Sequence, residues 1–264
     1  FVIDRTNGSL SSWKANGTEL LAKPLEPYFW KTATDVQTAN NYLTRLGLWK
    51  NQSDERKVTL TSAKFIGNIL TVTVNMELGV GASYVLTYSF ANNGKVMVNA
   101  SYVPESDNIA QMPKFGVRMG IDSVYSNISW YGRGPWENYP DRKSGYFIGS
   151  YKSSLEDFVT EYIHPQDNAN RTDVRYFVLT SADNHSLIVE GMQPLCFRAW
   201  PYTEQQLEEA GHPYQIGHCG YVNLNVDLNI HGVGGNDGWG SRTAAEYTLP
   251  GNSGYSYSFT MEYR

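Results

Sequence analysis

Val222-Asn223-Leu224-Asn225-Val226-Asp227-Leu228-Asn229-Ile230 alternates an apolar residue with a polar one over its whole length. Successive side chains of a strand point to opposite faces, so this spacing predicts a strand with one face in a core and the other in water. The same period governs Tyr255–Tyr263, where Tyr255, Tyr257, Phe259, Met261 and Tyr263 alternate with Ser256, Ser258, Thr260 and Glu262. It returns in Ile69–Met76 and in Tyr84–Phe90. Strands with one wet face belong to antiparallel sheets, and several of them predict an all-β antiparallel sandwich.

Turn signals separate the runs. Asn-Gly pairs at Asn7-Gly8, Asn16-Gly17 and Asn93-Gly94 supply residues that accept positive φ. The third is closely flanked by strand patterns, Leu86–Ala91 and Lys95–Val103, and predicts a hairpin. Helix signals are few. Thr203-Glu204-Gln205-Gln206 has the form of a capping box, and with Gly211 as a stop it predicts a helix of about two turns. A weaker helical pattern covers Val36–Leu48. Trp130–Thr172 and His231–Arg242 carry no strand pattern and read as long packed or functional loops. No Pro/Ser/Gly-rich break interrupts the chain, so one domain is expected over 1–264. The start, Phe1-Val2-Ile3-Asp4, lacks a methionine and is expected to mark a piece excised from a longer chain.

Composition narrows the function classes. Of 264 residues, 41% are apolar, 14% aromatic and 18% charged, which excludes disorder and a coiled coil. A formal charge of −5 argues against a nucleic-acid partner, which usually needs a basic face. No apolar run approaches the roughly 18–20 residues of a bilayer span, so no membrane partner is expected. The chain reads as soluble, and cytoplasm and bacterial periplasm fit equally. Cys196 and Cys219 are expected as thiols rather than as a bridge. The five histidines form no zinc-ligand spacing, so no metal or other cofactor is expected.

Three constellations could carry chemistry. Trp130-Tyr131-Gly132-Arg133-Gly134-Pro135-Trp136-Glu137-Asn138-Tyr139-Pro140-Asp141-Arg142 holds two carboxylates, the minimum for a glycosidase pair. Arg133 and Arg142 lie among them, and a carboxylate beside an arginine is a poor acid. An ion-paired structural loop is therefore the preferred reading. Pro165–Arg175 is rich in amides and suits a hydrogen-bonded loop or a sugar contact. His231-Gly232-Val233-Gly234-Gly235-Asn236-Asp237-Gly238-Trp239-Gly240 is not a phosphate loop, since its spacing matches neither fingerprint and no helix signal follows. Its tryptophan between two glycines is either core or an accessible indole on which a sugar could stack.

Together these motifs resemble the C-terminal small-chain domain of glycoside hydrolase family 2 β-galactosidases. The resemblance rests on Trp130–Pro135, Glu137-Asn138-Tyr139, Asp141-Arg142, Pro165-Gln166, Asn170-Arg171-Thr172-Asp173-Val174-Arg175, Pro201-Tyr202-Thr203 with His212, and Gly232–Gly240. Phe29-Trp30-Lys31-Thr32-Ala33-Thr34-Asp35 is similar to a further family motif in which Lys31 and Ala33 are usually Arg and Pro. Asp167 and Ala169 also depart from the usual Glu and Gly. The resemblance implies a β-supersandwich similar to galactose mutarotase, with one or two short helices. It implies an accessory role in a retaining β-galactosidase whose two catalytic glutamates lie on a separate (β/α)₈ barrel. No catalytic residue and no cofactor are then expected in this chain. Trp239 matches the family tryptophan that packs against bound sugar, with Asn236 and Asp237 holding the loop. The implied partners are a galactoside, the barrel domain of the parent chain and, in a homo-oligomer, further copies. The alternatives are an independent carbohydrate-binding module and an aldose 1-epimerase, which would need an acid/base pair on the concave face.

Overall fold

A computed structural model describes residues 1–264, and its elements follow the alternation. In chain order they are β1 (Val2–Ile3), β2 (Leu10–Ser12), β3 (Lys14–Ala15), β4 (Thr18–Glu19), β5 (Leu21–Tyr28), α1 (Asp35–Ala39), α2 (Tyr42–Leu46) and α3 (Gln52–Glu55). Then come β6 (Lys57–Ile66), β7 (Ile69–Leu78), β8 (Ala82–Phe90), β9 (Val96–Pro104), β10 (Lys114–Asp122), β11 (Asn127–Gly134), β12 (Phe147–Ser154) and α4 (Leu155–Phe158). The chain ends with β13 (Arg171–Thr180), β14 (Ser186–Trp200), α5 (Glu204–Glu209), β15 (Tyr221–Ile230) and β16 (Tyr255–Tyr263).

Fourteen strands form one continuous antiparallel network in the order β1-β2-β5-β10-β15-β14-β16-β9-β8-β7-β6. Strands β13, β11 and β12 branch from β14. β14 turns the sheet. Its first half, Leu187–Gly191, pairs with β16, and its second half, Cys196–Trp200, pairs with β15. The change of partner falls at Gly191, where a Cβ would lie 2.3 Å from the Gln193 carbonyl oxygen. The result is an all-β antiparallel sandwich around one cluster of 53 buried apolar residues, with a satellite of Tyr139, Cys196, Ile230 and Val233 under the glycine-rich loop.

Four features depart from the sequence pattern. First, β15 has no wet face over most of its length. Asn223, Asn225 and Asp227 are as buried as Val222, Leu224 and Val226. A polar layer replaces the water. Lys114 donates to Asn225 Oδ1 at 2.5 Å and to Asp227 Oδ1 at 2.8 Å, both partners fully buried. Arg198 pairs with Asp167 and with Glu204 Oε1 (3.2 Å). Glu204 also receives Asn223 Nδ2 at 2.9 Å and Arg118 Nη1 at 3.3 Å. Burial alone would raise the Glu204 pKa, but the Arg118, Arg198 and Lys114 cations outweigh it and hold the carboxyl at about 2. Ion pairs inside a protein need such networks, since desolvation otherwise exceeds the Coulomb gain, although Arg198 Nε and Asp227 Oδ2 remain buried without a hydrogen-bond partner.

Second, Trp130–Thr172 is not strand-free. It contains the end of β11 and all of β12, which pairs only with β11 and is exposed or half-buried along its length. Third, Val36–Leu48 is not one helix. Asn41 adopts left-handed φ (59°) and splits it into α1 and α2. Helices are short throughout, though more numerous than one or two. Fourth, Arg133 pairs with Asp173 at 2.5 Å instead of with Glu137 or Asp141. The capping box of α5 is present as read, with Thr203 Oγ1 taking the Gln206 amide at 3.1 Å. Asn16-Gly17 forms the β3–β4 turn with both residues at positive φ. Both cysteines are free, Cys196 buried and Cys219 half-buried. No helix is long and apolar enough to cross a membrane.

Candidate functional site

The three loops singled out by sequence are tied together by hydrogen bonds, the first loop to both of the others. The two carboxylates of the first loop turn to different partners. Glu137 is buried and accepts the Tyr162 hydroxyl and the Ala169 amide (2.8 Å). Asp141 turns instead to the glycine-rich loop, where Oδ1 takes the Val233 amide at 3.1 Å and Oδ2 the Gly234 amide at 2.6 Å. Gly232 permits this approach, since a Cβ there would sit 2.6 Å from the Asp141 carboxyl carbon.

The second loop is a buried scaffold. Asp167 receives the Tyr139 hydroxyl at 2.8 Å and pairs with Arg198. Asn168 Oδ1 accepts the Trp200 indole N–H at 3.1 Å. Asn138 Oδ1 takes the Thr172 amide at 2.9 Å, and Asn170 donates to the Asn138 carbonyl at 2.7 Å. Amide side chains suit this task because each both donates and accepts.

The glycine-rich loop is pinned from α1 as well. Gln37 Nε2 donates to the Gly232 carbonyl at 3.0 Å, and Asn40 Nδ2 to the Ser241 carbonyl at 3.3 Å. From the loop's far end, Thr243 Oγ1 donates to the Gly234 carbonyl at 2.8 Å. Gly240, at φ +116°, lets the backbone pass where a Cβ would come 2.8 Å from the Ala39 carbonyl oxygen. Beneath lies Lys31, fully buried, its ammonium on Gln37 Oε1 at 2.6 Å and 5.1 Å from the Tyr42 ring centre. Burial lowers its pKa to about 8, offset in part by Asp167 and Asp141. His231, also buried, meets the Gly232 carbonyl through Nδ1 at 2.8 Å, and burial lowers its pKa to about 4.

At the tip, Asp237 Oδ1 takes the Trp239 amide at 2.8 Å and the Ser241 amide at 3.3 Å, and Oδ2 takes the Ser241 hydroxyl at 2.7 Å. Asp237 is thus the residue that shapes the tip. Asn236 is exposed beside it, and its side chain makes no hydrogen bond within the chain. Trp239 itself is 92% exposed. Five of the seven tryptophans lie in the interior, so its exposure is unusual for this chain, and only Trp136, at 67%, shares it. Sequence reasoning did not assign Asp141, Gln37 and Thr243 to the loop. Only Asp141 carried a signal, through its place in a motif shared with the other loop residues.

The arrangement is a loop, held by Asp141, Gln37, Asn40 and Thr243, that presents one indole to solvent. The β-galactosidase small chain family model matches residues 1–261. The β-galactosidase of Priestia megaterium is 31% identical over 99% of this chain and 25% of its own length. That of Halalkalibacterium halodurans is 30% identical over 96% of this chain and 26% of its own length. The chain spans about a quarter of the length of the curated relatives it matches. Among solved structures, galactose 1-epimerase from Lactobacillus acidophilus aligns with 99% of this chain and 78% of its own, at a TM-score of 0.46 and 10% identity. A GalM/aldose epimerase homologue from C. elegans aligns at a TM-score of 0.43 and 9% identity, covering 99% and 81% of the two chains. With its motifs matched almost from end to end, the chain belongs to the β-galactosidase small chain family.

Proposed function

We propose that this chain serves as the accessory part of a retaining glycoside hydrolase family 2 β-galactosidase, a longer enzyme that removes terminal β-galactosyl residues. In this reading two glutamates on a separate barrel domain perform the displacement. The present chain closes one side of the sugar pocket and adds no catalytic group or cofactor. Trp239 offers an indole face to the C–H face of the galactosyl ring. Asp237 fixes the loop tip, and Asn236 lies beside the sugar. The observation that carries the reading is the exposure of Trp239 on a loop whose backbone is held by Asp141, Gln37 and Thr243. A rigid loop spends its ordering cost in folding rather than in binding.

The epimerase alternative gains nothing from Glu204, a buried carboxyl bordering the cleft beside β10 and β15. Held at about 2, it is too acidic to donate a proton near neutral pH.

The test assays a chromogenic galactoside with this chain alone and with the longer enzyme. The chain alone should give no turnover. In the longer enzyme Trp239→Ala should raise KM about tenfold, equivalent to ~1.4 kcal/mol of stacking. Turnover by the chain alone, or an unchanged KM, would overturn the proposal.

A further inference from the structure

We infer that the cleft on the other flank of α1–α2 from the glycine-rich loop is a second binding site, for a neutral saccharide. The α1–α2 segment divides the two places. Ala39 and Asn40 touch the loop, whereas Thr38, Asn41 and Tyr42 border the cleft. The cleft encloses about 980 Å³, at the upper end of the volumes that hold small ligands. Its floor is β5, β10 and β15, and α5 forms the opposite wall.

The chemistry of the walls selects the ligand. The floor cation is already neutralised, with Arg118 on Glu26 at 2.9 Å and on Glu204 at 3.3 Å. At the wall Lys50 pairs with Glu208. Of the other lining charges, Lys23 has no carboxylate partner and Asp54 and Glu209 have no cation, so carboxylates are in excess and an anionic ligand is disfavoured. What remains is a set of planar groups with spare lone pairs and N–H bonds: the carboxylates of Glu26 and Glu208, the guanidinium of Arg118 and the amide of Gln205. A hydroxyl both donates and accepts, so neighbouring hydroxyls on a ring can donate to a carboxylate while accepting from a guanidinium or amide. Tyr221, half-buried on β15, adds an aromatic surface, with Lys23 Nζ 5.7 Å from its ring centre. The groups are also fixed in advance. Glu208 holds the Trp30 indole N–H at 2.5 Å, and the Arg118 guanidinium lies 3.9 Å from the Tyr28 ring centre. Preorganised groups lose little freedom on binding.

This site does not depend on the Trp239 reading, because all its walls belong to this chain. The experiment is a calorimetric and amide-NMR titration of the chain with galactose, lactose, a neutral cello-oligosaccharide and an anionic oligogalacturonate. Two variants, Thr44→Trp and Gln205→Trp, place bulk at exposed positions on facing walls, and Trp239→Ala serves as the comparison. Saturable binding of a neutral sugar is expected, with amide shifts in β5, β10 and α5. It should weaken about tenfold or more in both cleft variants and persist in Trp239→Ala. Three results would each overturn the inference: no saturable binding of a neutral sugar, preference for the anionic oligomer, or binding lost in Trp239→Ala and kept in the cleft variants. The last would leave the Trp239 reading standing.

Discussion

Asp141→Asn tests most directly how the glycine-rich loop is held. The carboxylate serves two amides, one on each oxygen, at 3.1 and 2.6 Å. An asparagine side chain offers one acceptor oxygen and an NH₂ group, so it satisfies one amide and sets a donor against the other. Rotation away is hindered, because Gly232 packs tightly against the carboxyl group. A hydrogen bond to a charged group contributes about 1.5–3 kcal/mol. These two are only part-buried, which places the loss in the lower half of that range, about 2 kcal/mol. If the loop opens alone, that loss multiplies its open population about thirtyfold, since ~1.4 kcal/mol is tenfold. Amide hydrogen exchange reads this directly. Protection of Val233 and Gly234 should fall about thirtyfold, while amides of β8 and β9 should not change. If the loop opens only with the whole chain, the loss instead appears as a fall in Tm of about 4 °C. Unchanged protection at both loop amides, with an unchanged Tm, would refute the claim that Asp141 holds the loop.

Three further outcomes are expected. Gly116→Ala would bring a Cβ to 1.8 Å from Asp227 Oδ1 and 2.8 Å from Asp227 Cα. Disrupting the Lys114–Asp227 pair in this way should cost about 3–5 kcal/mol in denaturant melts, and a loss below 1 kcal/mol would show that the layer adapts. Lys31 is lowered from 10.5 to about 8, so above pH 8 the folded chain releases a proton that the unfolded chain keeps up to about pH 10.5. Stability should therefore rise with pH through that window by up to about 3 kcal/mol, and Lys31→Met should remove that rise. Equal slopes in the two proteins would count against it. Glu204 is lowered from 4.5 to about 2, so its contribution is complete above pH 4.5 and is lost as the pH falls toward 2. Glu204→Gln should flatten acid unfolding over that range while lowering stability at pH 7 by about 3–5 kcal/mol, and a variant as stable as the parent at pH 7 would contradict this.

The strands were legible wherever one face was apolar, as in β7, β8, β15 and β16. Period two reports which side chains share a face, but not what covers that face. On β15 the polar face met Lys114, Arg198 and Glu204 instead of water, and those partners lie up to 113 positions away. β12 was missed because it is exposed or half-buried along its length, so no core imposed an alternation on Phe147–Ser154. The break between α1 and α2 was hidden because asparagine tolerates both helical and left-handed backbone. At the site, Trp239 was legible from its glycine neighbours and family motif. Asp141 stood in the sequence as a possible acid, and only three-dimensional geometry turned it into the anchor of a loop 92 positions away.

The strand order also sets a timetable for synthesis. The meander β6-β7-β8-β9 joins neighbours in sequence and can close through short loops as it emerges. The remaining edge of β9 is different, because its partner is β16, with Val96 opposite Met261 and Tyr102 opposite Tyr255. β10 likewise waits for β15, more than 100 residues downstream. Loop-closure entropy must be met before such pairings contribute, which makes sheets of this order slow to fold. Until Tyr255–Tyr263 leaves the ribosome, the meander carries an open hydrogen-bonding edge, the kind of surface on which nascent chains self-associate. β16 is the strand that seals the β9 edge.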